Sequence, residues 1–515
     1  MMNSVTSSLE GSCQIGTVLS GSWELTQRIF ENLNFREVSR LRAVCKTWAD
    51  VGAKILEKRR RLHYLTIHPH NIPTTEGKVA LGETSPSSLF EGFFERIVSK
   101  PRYCLAFCNE DWLSRTDVFN GKDENGKLTL IQYINGSLPS SCEFGLVSAT
   151  GVIGTVENNY QGHWLESANS MNQEVLSFLC GRDKEGRRPT GCCWRPNTVE
   201  ESGGQNQKEA SQNTLSSQSK GVSTRSQNST CCSSSEATDT SGNTNEKRST
   251  VGYSIEVERD STSLRQADAV SLLLIPHHPG VQLKFFHICD EKFLRDYRNE
   301  EDMNCDNLNI TSDELNQLTS MSPDDHLKAL LLFDAGLDEG FTEAFIQSAL
   351  VRQNHRLALG GGVADRVYAG RSTSSTQRSF GIAVCGPNVM AASVVIPKYV
   401  SNPKGLDEYM KELKSCGLPE DQSVAFMFSC CGRGYSWYRR RGNPWFDYHN
   451  VETKAFRQAF PNTPIFGFFG GGEIGLKHLP KFQKQEEEDQ GVPQKKRKKR
   501  MLHQFSTIIV FLSFL

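Results

Sequence analysis

Two apolar runs of strand length, residues 424–429 and 465–469, bracket an amphipathic segment near the C-terminus. Between them Val451, Ala455, Phe456, Ala459 and Phe460 recur at helical spacing, which puts them on one face of a helix. Pro461 and Pro464 end that helix, because a proline pushes the residue before it out of the α region. Strand, helix and strand in about fifty residues is the length of a crossover joining parallel strands.

The same pattern runs through the chain from residue 89. Apolar runs at 103–107, 143–148, 327–334 and 389–396 predict strands, and helical spacing predicts helices near 89–100, 173–179 and 406–413. A further helix is predicted over 340–352, with Phe341, Ala344, Phe345 and Ala349 inward. Two hairpins are expected. One joins 270–275 to 281–288 across His277-His278-Pro279-Gly280, the other 380–385 to 389–396 across Gly386-Pro387-Asn388. Residues 357–362 read as a glycine turn and 290–325 as an acidic linker. The apolar run 505–515 is too short to cross a hydrocarbon core as a helix, which takes about 20 residues, and predicts a final buried strand. Alternating strands and helices make this body mixed α/β (α+β).

The N-terminal pattern differs. Leu25, Ile29, Phe30 and Leu33 mark one amphipathic set, and Val38, Leu41, Val44, Cys45 and Trp48 a second beyond a break at Asn34. Some forty residues bury little core alone. Apolar residues on more than one face of so small a unit therefore belong to a larger core or to a docking surface. Residues 63–88 read as a linker. Residues 197–250 are Ser, Thr, Asn, Gln and Gly with hardly a large apolar side chain, and are expected to be a disordered insertion. The charged stretch 481–501 reads as a second insertion.

Composition narrows the picture. A chain of 515 residues holds about three domains as a prior. A formal net charge of −1 argues against general attraction to nucleic acid. The sixteen cysteines are isolated or in adjacent pairs, without paired CxxC knuckles, so reduced thiols and no metal centre are expected. The N-terminus has neither the basic nor the apolar region of a signal peptide, and no membrane association is expected.

Several constellations carry candidate chemistry. Gly470–Gly475 matches G-x-G-x-x-G after a strand, but the motif needs a helix next, and Pro480 follows closely. No dinucleotide or other cofactor is expected. Cys430 or Cys431 beside Arg433 resembles an activated thiol, with no histidine before His449 to act as base; packing explains small residues at a strand end equally. His277, His278, His287 and Cys289 lack metal-ligand spacing. Trp437 and Tyr438 before Arg439-Arg440-Arg441 read as a solvated loop rather than a nucleic-acid patch. Lys495, Lys496, Arg497, Lys498, Lys499 and Arg500 suit an importin-read nuclear address, so nucleus and cytoplasm are the expected locations.

Two resemblances add to this reading. LRAVCKTWADVG, after the helix ELTQRIFENL, resembles an F-box, with Val44-Cys45-Lys46-x-Trp48 its most specific part; the family's usual leading Leu-Pro is replaced by Ser22-Trp23. That resemblance assigns 16–62 to the F-box. It implies that Leu25, Ile29, Leu33, Leu41, Val44, Cys45 and Trp48 dock a Skp-type adaptor, which joins a cullin. AFMFSCCGRGYSWYRRRGN and FPNTPIFGFFGGGEIG resemble the C-terminal part of a FIST domain, which implies a FIST-like body over 89–515, in parts 89–289 and 327–515. Sensory FIST proteins imply a ligand site at strand ends, here Cys430, Gly432, Arg433, Gly472 and Glu473. Together the resemblances imply a non-catalytic substrate receptor of an SCF-type ubiquitin ligase. The alternatives are a small-ligand sensor and a thiol enzyme.

Overall fold

The computed structural model describes residues 22–68, 86–115, 119–120, 127–157, 252–258, 269–288, 310–337, 339–370, 378–441, 448–480 and 500–515. The expected helix at 173–179, the insertion 197–250 and most of 481–501 lie outside them.

The N-terminal block is α1 (Trp23–Glu31), α2 (Phe35–Leu41) and α3 (Lys46–Lys58). Ser22 caps α1, and Asn34 with Glu37 forms a reciprocal capping box on α2, which explains the break seen at Asn34. Phe30, Val38, Val51 and Ile55 form a small core, with Trp23, Leu33, Leu41, Trp48 and Leu56 against it. The block is fastened to the body. Arg59 donates to the carbonyls of Phe30 and Leu33 at 2.8 Å, Glu31 at 3.1 Å and Val98 at 3.1 Å. The Phe35 N–H donates to Ile97, and Phe35 packs into an aromatic cluster with Phe90, Phe93, Phe94 and Trp112.

The body repeats one plan three times. Its first unit is β1 (His63–Ile67), α4 (Pro86–Glu95), β2 (Pro101–Cys108), α5 (Glu110–Ser114), the short β3 (Phe119–Asn120) and β4 (Lys127–Leu128), α6 (Leu130–Ser137), β5 (Glu143–Ser148), β6 (Gly151–Thr155), β7 (Ser254–Val257) and β8 (Val270–Pro276). The second is β9 (Gln282–Ile288), α7 (Ser312–Thr319), β10 (Leu327–Asp334), α8 (Glu339–Arg352), β11 (Ala358–Val363), β12 (Arg366–Ala369) and β13 (Ser379–Cys385). The third is β14 (Val389–Ile396), α9 (Pro403–Ser415), β15 (Ser423–Cys430), α10 (Tyr435–Arg441), α11 (Val451–Ala459), β16 (Ile465–Gly470), β17 (Glu473–Leu476), β18 (Leu502–His503) and β19 (Thr507–Phe514).

Each unit contains a parallel pair joined by helix: β2 with β5, β10 with β11, β15 with β16. The next strand then leaves for another sheet. β6 pairs with β16, β12 with β5 and β17 with β11. A later strand returns to lie between the pair and the unit's first strand: β8, β13 and β19. All three sheets contribute to one central apolar core. Three outer cores lie under helices: α4–α6 on the first sheet, α7 and α8 on the second, α9–α11 on the third. Being covered on both faces is why β15 and β10 read as unbroken apolar runs.

The crossover unit 423–475 is present as expected, with β15 and β16 parallel. Other expectations are corrected. Neither hairpin exists: β8 and β9 belong to different sheets, as do β13 and β14. Their turns are corners that interlock, Asn388 donating from its backbone to Gly280 and from its side chain to Pro279; strands that switch sheets at a corner mimic a hairpin in sequence. Residues 357–362 are not a turn but strand β11. The acidic linker contains α7, started by a Thr311–Glu314 capping box and held by buried Leu315. The linker 63–88 contributes the fully buried β1. Residues 435–441 form a helix rather than a solvated loop, with Trp437 and Tyr438 buried.

Gly361 and Gly467 occupy matching positions in the second strand of two parallel pairs, opposite Leu332 and Met427. Their φ angles are +154° and +152°, and a Cβ at either would stand 1.8 Å from the carbonyl oxygen of the opposed residue. Gly361→Ala or Gly467→Ala is expected to cost more than about 4 kcal/mol. Soluble expression and a thermal melt would check this, and a melt within the wild-type range would refute it.

Candidate functional site

The ends of the parallel pairs meet. Thr150 Oγ1 donates to the carbonyl of Phe469 at 2.7 Å, Gly471 N to Val363 at 3.0 Å and Asp365 N to Ser148 at 2.8 Å. These three contacts join the first unit to the third, the third to the second, and the second to the first. Carboxyl ends of strands are where α/β sheets hold ligands. Around this ring Val363, Asp365 and Cys431 are exposed, and Phe505 also reaches solvent.

Behind the rim lies a buried polar network. Arg433 and Glu452 are both 0% exposed and share a salt bridge of 2.7 Å. Nε and Nη2 of Arg433 donate to Glu452 Oε1, Nη1 to the carbonyls of Pro397 and Phe505, and Nη2 also to Val400 and the Tyr438 hydroxyl. Ser429 and Thr507 donate to Glu452 Oε2 at 2.7 and 2.8 Å. Burial pushes Glu452 up, but Arg433 and these hydrogen bonds outweigh it and hold the carboxyl below its ordinary range. Burial likewise lowers Arg433, and Glu452 and Tyr438 more than restore it. Such a pair is costly to bury unless every lone pair and proton is met, as here. The guanidinium is thereby committed inside the fold.

The other strand-end residues divide by exposure. Cys430 is buried, Gly432 is exposed with the Phe505 ring beside it, and Gly472 is partly exposed. Glu473 is 1% exposed. Its Oε2 accepts from Ser506 N at 3.0 Å and Ser506 Oγ at 2.6 Å. Oε1 is buried without a hydrogen bond among the described residues. Burial raises Glu473 to about 8, Ser506 opposing and Cys430 reinforcing. Cys431 is lowered to about 6, chiefly by a hydrogen bond from Cys430 and against burial; the same bond and burial raise Cys430. Sequence reading passed over Ser506, Glu452 and Asp365, whose roles depend on contacts far along the chain.

Gly470–Gly475 leads into strand β17, so no helix terminus faces a phosphate there. His278 is buried, its ring tilted against Phe514 at 5.0 Å, while His277 and His287 are exposed; Cys289 lies outside the described residues. Of the basic run at 495–500, only Arg500 is described, and it is exposed. Among the described residues no helix is long and apolar enough to cross a membrane.

The N-terminal candidates form a second surface. Leu25 and Ile29 are each 40% exposed and Val44 is 62% exposed. Leu33, Leu41, Cys45 and Trp48 are partly buried, with Trp48 edge-on to Phe30 at 5.5 Å. The block thus closes its own core with part of the apolar set and leaves three side chains in water.

A family model of the F-box domain matches residues 22–55; the chain carries an F-box. Over 215 residues it is 30% identical to F-box only protein 22 of Homo sapiens and 29% identical to that of Pongo abelii, covering 40% of this chain and 48% of each relative. The chain therefore spans about half the length of these curated relatives. Among solved structures, cyanuic acid hydrolase from A. caulinodans matches at 9% identity and a TM-score of 0.23, over 48% of this chain and 75% of that one. A likeness so slight carries no weight.

Glu473 makes stability depend on pH. Its folded value, about 8, exceeds the usual carboxylate value of about 4.3. Between the two the folded state holds a proton that the unfolded state has released, so stability falls as pH rises through this window. Glu256, raised to about 7 by burial and the nearby Glu452, acts in the same sense at lower pH. Melting temperatures measured from pH 6 to 9 are expected to drop, by at most about 1.4 kcal/mol per pH unit for each group. Glu473→Gln should flatten the upper part of the drop. An identical profile for the variant would show that Glu473 is ionised in the fold.

Proposed function

We propose that this chain is the substrate-recognition subunit of an SCF-type (Skp–cullin–F-box) ubiquitin ligase complex. Its F-box docks the adaptor, and its body, read as FIST-like, captures the protein to be ubiquitinated. The observation that carries this is the trio Leu25, Ile29 and Val44, left in water by an F-box that has already spent its other apolar residues on its core and on the body. Exposed apolar side chains on a short helical unit suit a helix-in-groove partner. The body supports a receptor rather than an enzyme in one respect: Arg433, the cation nearest the strand-end thiols in sequence, is tied up by Glu452 and backbone carbonyls. On this reading, transfer of ubiquitin is performed by other subunits. The basic run ending at Arg500 would direct part of the population to the nucleus.

The test is co-purification with a Skp-type adaptor. Leu25→Asp, Ile29→Asp and Val44→Asp together should lower recovery about tenfold or more, because docking energy concentrates in a few apolar anchors. The melt should stay within about 1 kcal/mol of wild type, since these positions are exposed. Undiminished recovery would remove the assignment. Leu41 and Trp48 are poorer targets, because both also pack on the local core.

A further inference from the structure

Cys430 and Cys431 end strand β15 in unlike settings. Cys430 is buried and Cys431 exposed. Both are fixed by their backbones: Cys430 N donates to Ser506 at 3.1 Å and Cys431 N to Gly470 at 2.8 Å. The two thiols belong to neighbouring residues at the strand end, and each shifts the other's titration, Cys431 downward and Cys430 upward. The Glu473 carboxyl is joined to the same strand end through Ser506, whose carbonyl accepts the Cys430 N–H and whose N–H and hydroxyl donate to Glu473 Oε2. It is almost wholly buried, and its Oε1 has no well-formed partner among the described residues. A buried oxygen left so incurs an uncompensated desolvation cost, an arrangement that invites a function. Three groups thus meet at one strand end: an open thiol, a buried thiol on the preceding residue, and a buried carboxyl tied to both through Ser506 and the backbone.

We propose that Cys431 is a redox-modification site that reacts with hydroperoxides, and that Cys430 resolves the product into a disulfide between the two neighbours. The open sulfur has the thiolate character such chemistry needs, lying at about 6 despite the opposing charges of Glu473 and Asp365. In the first step the Cys431 thiolate attacks one peroxide oxygen. The O–O bond breaks, an S–O bond forms, and sulfur is oxidised by two electrons as the peroxide is reduced. The departing oxygen takes a proton from the Glu473 carboxyl and leaves as water or an alcohol. In the second step the Cys430 thiol gives its proton to the Glu473 carboxylate and its sulfur attacks the sulfenic sulfur. The S–S bond forms, and hydroxide leaves as water by taking that proton back. Glu473 is reprotonated from solvent. Adjacent Cα atoms are about 3.8 Å apart, closer than the about 5.5 Å usual for a disulfide. The bond is therefore strained and readily reduced, which suits a reversible mark.

The test uses the full-length, reduced protein treated with hydrogen peroxide in the presence of dimedone, a sulfenic-acid trap, followed by peptide mass spectrometry. Wild type should lose two hydrogens from the peptide that carries both cysteines, and a thiol reductant should restore them. Cys430→Ala should accumulate the dimedone adduct on Cys431, about tenfold more than wild type, because the resolving thiol is gone. Cys431→Ser should show neither change, with an unaltered melt as the folding control. Glu473→Gln should slow both sulfenic-acid formation on Cys431 and the disulfide step while the melt at pH 6 stays unaltered, a combination that simple loss of packing would not produce. The proposal is overturned if Cys431 of the reduced wild-type protein is oxidised no faster than the same protein's thiols after unfolding. It is also overturned if wild type is oxidised elsewhere while this peptide stays unchanged.

Discussion

The body stands on an exchange of strands. After each parallel pair the chain crosses to another sheet: β6 to β16, β17 to β11 and β12 to β5. Each sheet thereby has an edge supplied by a different unit, which covers backbone groups that would otherwise form an open, sticky edge. The exchange runs in one cycle, so no sheet is complete without the others. The three hydrogen bonds among the strand ends, at Thr150, Gly471 and Asp365, close the same cycle at the point where a ligand or partner would meet it.

That cycle explains how the chain carries long polar stretches. Residues 158–251 connect β6 to β7, which pair directly, from Val152 opposite Val257 to Thr155 opposite Ser254. Residues 477–501 connect β17 to β18, which pair at Glu473–His503 and Ile474–Leu502. Each stretch therefore begins and ends on neighbouring antiparallel strands.

How much of this was legible depended on what each residue's neighbours are. The crossover at 423–475 was readable because both of its strands are covered on both faces and its helix has one apolar stripe. Helix 340–352 was readable for the same reason. The sheet-switching corners were not, since a short Pro-Gly turn between two apolar runs looks alike whether the second strand folds back or enters another sheet. Helix α7 was hidden by acidic residues that in fact include its cap, Glu314. The threefold plan left little repeat in the residues beyond the matching Gly361 and Gly467, because what recurs is mostly pairing, not side chains. At the candidate site, Arg433 and Glu473 were both named as strand-end ligand residues from the resemblance alone. Only coordinates could tell that one is consumed by Glu452 while the other keeps an unmatched oxygen. On the F-box, helical spacing grouped Leu25 and Ile29 with Phe30. The packing separates them, since Phe30 faces Val38 and Ile55 inside while the other two face water.

That separation matters because of what holds the F-box to the body. Arg59 satisfies the carbonyls that α1 and the following turn leave open, and with the same nitrogen reaches Val98 of the body. Leu56 touches both the F-box core and the aromatic cluster under the first sheet. Helix ends leave carbonyls that need partners, and here one side chain meets that need while crossing the junction. A flexible tether would let the body swing relative to whatever docks on Leu25, Ile29 and Val44. Charge-assisted hydrogen bonds and shared packing instead fix the face that carries Leu25, Ile29 and Val44 against the first unit of the body.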